Sequence, residues 1–131
     1  MARDIAGHAA DKKADNIVVL AMGDAVSWTD FFVIATGANP RQTKGIAEEI
    51  EGKLRSRRRA PRVEGAHEAE WILLDFIDVV VHVFTPAARE FYRLETLWGD
   101  VPRLDLSSRA GAAHGEPAGK VRAIVGEDPH A

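Results

Sequence analysis

Asp75, Asp78 and His82 stand within the ten residues DFIDVVVHVF (75–84), the most apolar part of a chain of 131 residues. Two carboxylates and an imidazole so close together could ligate a metal, divide proton transfer between them, or form the polar part of a docking surface. Ligation asks for further donors. No second histidine stands at helical or strand spacing from His82, and His8, His67, His114 and His130 fall in segments that read as loose. The chain has no cysteine, which removes thiolate zinc, disulfides and a thiol nucleophile together. Phosphoryl transfer would want two carboxylates at i and i+2 on one strand beside a Gly-Ser phosphate loop. Here the acids are three apart across a turn, and Gly-Ser does not occur. No serine sits in a nucleophile elbow or an SxxK context. The residues point away from catalysis, and no metal and no cofactor is expected.

The elements that must position these three residues follow from pattern. Residues 1–14 read as a short or frayed helix. NIVVLAM (16–22) and FFVIAT (31–36) are β-branched or aromatic runs that predict buried strands. Asn39 and Pro40 combine an N-cap with a proline at the first helical position. Thr43, Ile46, Ala47, Ile50 and Leu54 then repeat at three and four residues, one face of a helix running to about residue 57. Arg57, Arg58 and Arg59 at its end admit two readings, a nucleic-acid patch or cations complementing the helix dipole. TGANPRQ (36–42) could hold a phosphate at the helix N-terminus, but with a single glycine a plain strand-to-helix turn is the simpler reading. APRVEGAHEAE reads as a linker. WILLD (71–75) and DVVVHVF (78–84) predict two strands joined by a tight turn. Thr85 and Pro86 repeat the cap-and-proline start of a helix with Phe91, Leu94 and Trp98 on one face. The order predicts an α/β fold, a mixed β-sheet packed with helices.

Pairing 71–75 with 78–84 around a turn at Phe76 and Ile77 sets Asp75 opposite Asp78 and Trp71 opposite His82. One side then carries Ile72, Leu74, Val79 and Val81 and must face a core. The other carries Trp71, Leu73, Asp75, Asp78, Val80 and His82. An aromatic among aliphatics and acids is the mixture of a binding surface, and two facing acids invite a cation from a partner. His82 on this reading either stacks half-buried on Trp71 or touches the partner directly.

Composition agrees with one globular domain, 46% hydrophobic and 28% charged with a net charge of -3. The charge is divided: residues 41–62 hold eight Lys/Arg against three Asp/Glu, whereas residues 64–100 hold eight acids against two arginines. The second half can therefore offer an acidic face to a basic partner. Neither a signal peptide nor a membrane span is legible, so a soluble cytoplasmic protein is expected. Of the 29 residues 103–131, twelve are Gly, Ala or Pro, so a domain over 1–102 and a flexible tail over 103–131 are expected, with VRAIV as the one apolar run in the tail.

ADNIVVLAM, SWTDFFVIATGANPRQTKGIAEEIE, VEG, WILLDFIDVVVHVF and AREFYRLETLW together resemble, in order and spacing, the ribosomal silencing factor family RsfS, also called Iojap. The resemblance runs from about residue 14 to residue 102. It implies an α/β domain similar in fold to nucleotidyltransferases but without their catalytic loop, and not an enzyme. It implies binding to the large ribosomal subunit through ribosomal protein uL14 on the subunit-joining face. Joining with the small subunit is then blocked and translation falls under nutrient limitation. Large-subunit maturation and a homodimer of the free protein also belong to what it implies, with rRNA contact secondary. Carried over by position, the partner-binding residues are Trp71, Leu73, Asp75, Asp78 and His82, with Tyr92 and Glu95 as weaker candidates. Thr36, Gly37, Arg41 and Gln42 match the family's loop and are given a structural role. The opposing possibilities are a large-subunit maturation factor and a Mg-dependent nucleotidyltransferase-like enzyme using Asp75 and Asp78. The chain departs from the pattern in a shorter N-terminal helix and at Ile77, which replaces a glycine usual in the hairpin turn and makes a wider turn there an expectation.

Overall fold

A computed structural model describes residues 1–57 and 60–106. The elements in chain order are α1 (Ala2–Asp11), β1 (Asp15–Ala21), β2 (Phe31–Thr36), α2 (Pro40–Leu54), β3 (Arg62–Glu64), β4 (Trp71–Asp75), β5 (Val79–Phe84), α3 (Pro86–Tyr92) and α4 (Leu94–Leu97). The strands form one mixed sheet in the order β1-β2-β5-β4-β3. Only β2 and β5 run parallel; the other neighbours are antiparallel.

The parallel pair needs a crossover, and α2 with the β3–β4 hairpin supplies it. Asn39 starts α2 as expected: its backbone is extended and its side-chain oxygen accepts from the Gln42 amide at 2.9 Å, with Pro40 following. Thr43, Ile46, Ala47, Ile50 and Leu54 are the buried face of this helix. They pack with Ile5, Ala6 and Ala9 of α1 onto one side of the sheet, against Val33, Ile72, Leu74, Val81 and Val83. The opposite side forms a second core from Leu20, Phe32, Ile34, Val80 and Phe84, closed by Leu94, Trp98 and Val101. Both faces of the central strands are therefore covered.

Four features differ from the sequence expectations. The segment read as a linker contains β3, a three-residue edge strand with every residue exposed, too short and too polar to announce itself. The β4–β5 register places Leu73 opposite His82 and Asp75 opposite Val80, not Asp75 opposite Asp78. The Phe76 amide donates to the Val79 carbonyl at 2.9 Å, so the loop is Ile77–Asp78, one residue later than expected. That moves the register by two and leaves every strand residue on its expected face. The last helix is interrupted: Arg93 adopts a left-handed conformation at φ 47 between α3 and α4. Leu94 and Trp98 still pack inward, but Phe91, expected on the buried face, is 77% exposed. Lastly, packing continues past residue 102. The Ala21 amide donates to the Pro102 carbonyl at 2.8 Å and the Leu104 amide to the Val19 carbonyl at 3.0 Å, and Leu106 is buried in the first core. This covers the β1 edge of the sheet; the rest of the expected tail, VRAIV included, lies outside the described residues.

The turn from β3 into β4 depends on Gly65, whose φ is +83 and where a Cβ would fall 2.0 Å from the Trp71 carbonyl oxygen. No L side chain fits without moving β4. Gly65→Ala is expected to cost about 2–3 kcal/mol, read as a lower denaturation midpoint in urea.

Candidate docking site

The face of β4 and β5 opposite α1 and α2 gathers most of the residues singled out from sequence. Trp71 is half-buried at its centre. Its ring lies 5.1 Å from that of Phe84 and 4.5 Å from that of Tyr92, centroid to centroid, and Phe91 meets Tyr92 edge-on at 4.9 Å. Tyr92 is 48% exposed, so this aromatic cluster runs from the core into solvent. Leu73, Asp75 and Asp78 are partly exposed along the same hairpin.

Of the two roles expected for His82, packing against Trp71 is the nearer, with a tilted ring and a hydrogen bond in place of a stack and with fuller burial. The ring is buried, at 4% exposure, because Phe32 and Trp71 close over it. The Trp71 indole N–H donates to His82 Nδ1 at 3.1 Å. An indole nitrogen can only donate, so Nδ1 carries no proton and the neutral ring is protonated on Nε2. Among the described residues Nε2 has no hydrogen-bond partner, and the His82 ring lies 4.7 Å from that of Phe32. Burial pushes the pKa down to about 4, because the charged ring would lose its water without gaining a counter-ion. His82 thus holds Trp71 in place from below and offers no surface to a partner.

Glu95 is likewise engaged within the fold. Arg89 donates through Nε at 3.1 Å and Nη2 at 2.6 Å to its two carboxylate oxygens, and through Nη1 at 2.6 Å to the Thr36 hydroxyl. With Arg89 only 10% exposed, this bidentate pair fastens both short helices to the end of β2. It fixes where Tyr92 stands over Trp71 and leaves Glu95 little capacity for contact.

Asp75 and Asp78 are separated by the turn geometry. Asp75 Oδ1 accepts from the Ile77 amide at 2.8 Å, which ties the carboxylate to the hairpin loop. Arg62, in register with Asp75 on β3, forms an ion pair with Glu64 at 2.9 Å. Its pKa is raised, first by the Glu64 hydrogen bond and charge and then by Asp75. Part of the cation expected from outside is thus the chain's own, a residue hidden from sequence reasoning inside the apparent linker. The Asp78 carbonyl accepts from the amides of Asp30 at 2.9 Å and Phe31 at 3.1 Å, which anchors the loop to the start of β2. Among the described residues no group of three or more His, Cys, Asp or Glu could hold a metal.

The loop before α2 is built for packing. A Cβ on Gly37 would sit 2.8 Å from the Thr43 amide nitrogen, and Gln42 bridges the Ala38 amide at 2.6 Å and the Lys12 carbonyl at 3.1 Å. Of the arginine triplet, Arg57 lies 3.9 Å from Asp4, while Arg58 and Arg59 are outside the described residues. No helix among the described residues is long and apolar enough to cross a membrane.

Residues 1–125 match the family described as "Ribosomal silencing factor during starvation" (RsfS). The chain is 41% identical over 97 residues to the ribosomal silencing factor RsfS of Halalkalibacterium halodurans, covering 73% of this chain and 83% of that protein. It is 30% identical over 91 residues to the mouse mitochondrial assembly of ribosomal large subunit protein 1, covering 66% of this chain and 40% of that protein. A crystal structure of a Chromobacterium violaceum protein superposes with a TM-score of 0.71 at 35% identity, over 75% of this chain and 83% of that one.

The buried imidazole has a thermodynamic signature. Its folded pKa, about 4, lies below the ordinary 6.5, so between those values the unfolded chain binds the proton and the folded chain does not. His82 therefore contributes stability that is complete above about pH 6.5 and is lost as pH falls towards 4, roughly 2 kcal/mol between pH 7 and pH 5. Urea denaturation at both pH values is expected to show wild type losing about that much more than His82→Phe; equal losses would contradict the buried neutral ring.

Proposed function

The chain belongs to the RsfS family of ribosomal silencing factors, and on that premise we propose that it binds the large ribosomal subunit through uL14 and sterically blocks joining with the small subunit. Translation falls under nutrient limitation as a result. The observation that carries this reading is the solvent-facing aromatic cluster of Trp71, Tyr92 and Phe91 beside the Asp75–Asp78 hairpin. An aromatic anchor held rigidly beside acidic groups suits a basic protein surface, where partly dried charge pairs add affinity and select register. Residues 64–100, with eight acids against two arginines, extend the same sign of charge.

The protein acts without catalysis on this reading, as a nucleotidyltransferase-like fold lacking the catalytic loop. Two observations support that view: Asp75 is occupied as a turn cap, and His82 is sealed in the second core. A cytoplasmic location, a homodimer of the free protein and a secondary rRNA contact complete the proposal. A role in large-subunit maturation is the second reading, favoured by the similarity to a mouse protein named for ribosomal large-subunit assembly. The same docking surface would serve it.

Purified protein is expected to co-sediment with isolated large subunits and to inhibit their joining with small subunits. Trp71→Ala should weaken large-subunit binding by about 30-fold or more, and Tyr92→Ala, at a more exposed position, by about tenfold with little loss of stability. Asp78→Lys should weaken it comparably by placing like charges together. Binding to small subunits alone would refute the proposal, and binding without inhibition of joining would favour the maturation role.

A further inference from the structure

The β4–β5 hairpin carries a backbone conformation that its side chain should not tolerate. Ile77 has φ 80. Of the non-glycine residues with positive φ among the described residues (Lys13, Asn16, Ala69, Ile77 and Arg93), it alone is β-branched. A branched Cβ in this region crowds the neighbouring carbonyl oxygen, and glycine is the residue that two-residue hairpin loops usually place there. The conformation itself has a structural cause. Phe76 pairs with Val79 across the loop, the Asp78 amide donates to the Phe76 carbonyl at 3.0 Å, and the Asp78 carbonyl must reach the amides of Asp30 and Phe31. Glycine would satisfy all of those bonds without crowding. What the fold does not explain is the isoleucine side chain.

That side chain contributes little to either core, being 65% exposed, whereas Phe76 beside it is buried. Other exposed apolar residues, such as Leu97, incur no comparable strain and require no explanation. Ile77 combines strain with exposure, at a position flanked by two carboxylates and beyond the end of the strand that bears Trp71. Strain that the folded chain does not use is characteristic of contact sites.

We propose that Ile77 is a docking residue, an apolar tip that enters a recess rimmed by Lys or Arg on a protein of the large subunit, with Asp75 and Asp78 meeting the rim. This rests on the large-subunit reading above and deepens it. The flanking carboxylates favour a protein over RNA, since phosphates would be repelled. The hydrogen bonds of the tight loop hold the Ile77 backbone in place before contact, so little backbone entropy is lost on binding.

The decisive variants are Ile77→Gly and Ile77→Asn, both of which suit positive φ and remove the apolar tip. Each is expected to raise the melting temperature, by about 4 °C for the better of the two, while weakening binding to large subunits by about tenfold. A purely structural residue would give the first effect without the second. Stabilised variants that bind within twofold of wild type overturn the proposal while leaving the large-subunit reading intact. A wild-type protein that fails to bind large subunits overturns both. Wild-type binding to protein-free large-subunit rRNA that falls equally in both variants overturns the assignment to a protein partner.

Discussion

β5 buries all six of its side chains, alternately in two different cores, and is paired in parallel with β2 and antiparallel with β4. A strand placed this way demands cover on both faces of the sheet. α1 and α2 supply it on one side, and the two short C-terminal helices with the strap through Val101 supply it on the other. The five apolar side chains of β5 contribute on the order of 10 kcal/mol by burial. That exceeds the roughly 3 kcal/mol that would be lost if the buried His82 ring had to accept a proton, a loss felt only as pH falls towards 4. The proposed docking face is what remains where this second layer ends: it stops short of β4, and Trp71, Leu73 and Asp75 emerge at its margin.

The same constraint decides what could be read from the amino acids. Features fixed by local chemistry were legible: the Asn39 and Thr85 caps, the buried stripe of α2, and the division of β4 into two faces. An error of one residue in the turn left that division intact, because it moves the register by two and side-chain direction repeats every two residues. The fate of His82 was not legible. Alternation reports which face a residue occupies, but whether that face is dry depends on side chains brought from other elements, here Phe32 of β2 and Trp71 of β4. β3 was invisible because three exposed residues carry no periodicity, and with it Arg62 was lost. The break at Arg93 was hidden because the usual sign of a left-handed residue, glycine, is absent; Phe91, taken for core, therefore stands in solvent.

Rigidity links this architecture to the proposed function. Trp71 is held by Phe84 behind it, by His82 through a hydrogen bond and by Tyr92 above, and Tyr92 is in turn fixed by the Arg89–Glu95 pair across the αL break. A nearly buried ion pair adds little net stability compared with an apolar pair, but breaking it leaves one charge stranded. Its geometric specificity is the relevant property here. An aromatic anchor that is already immobile loses little entropy on docking, so more of its burial appears as affinity.

Two local costs meet on one hairpin, a neutral histidine sealed without a partner for Nε2 among the described residues and an isoleucine in a conformation suited to glycine. Each is tolerated because the strands around it are over-determined by packing and backbone bonds. The electrostatics have a similar logic. Arg62 is largely exposed, so its attraction to Asp75 is weakened by solvent and salt. A partner that covers the hairpin removes that water, and a lysine or arginine it brings interacts with the carboxylates more strongly than Arg62 does in the free protein. The free protein can thus keep its acidic hairpin partly compensated, and the full strength of the charge pairing arises only when the surface is covered.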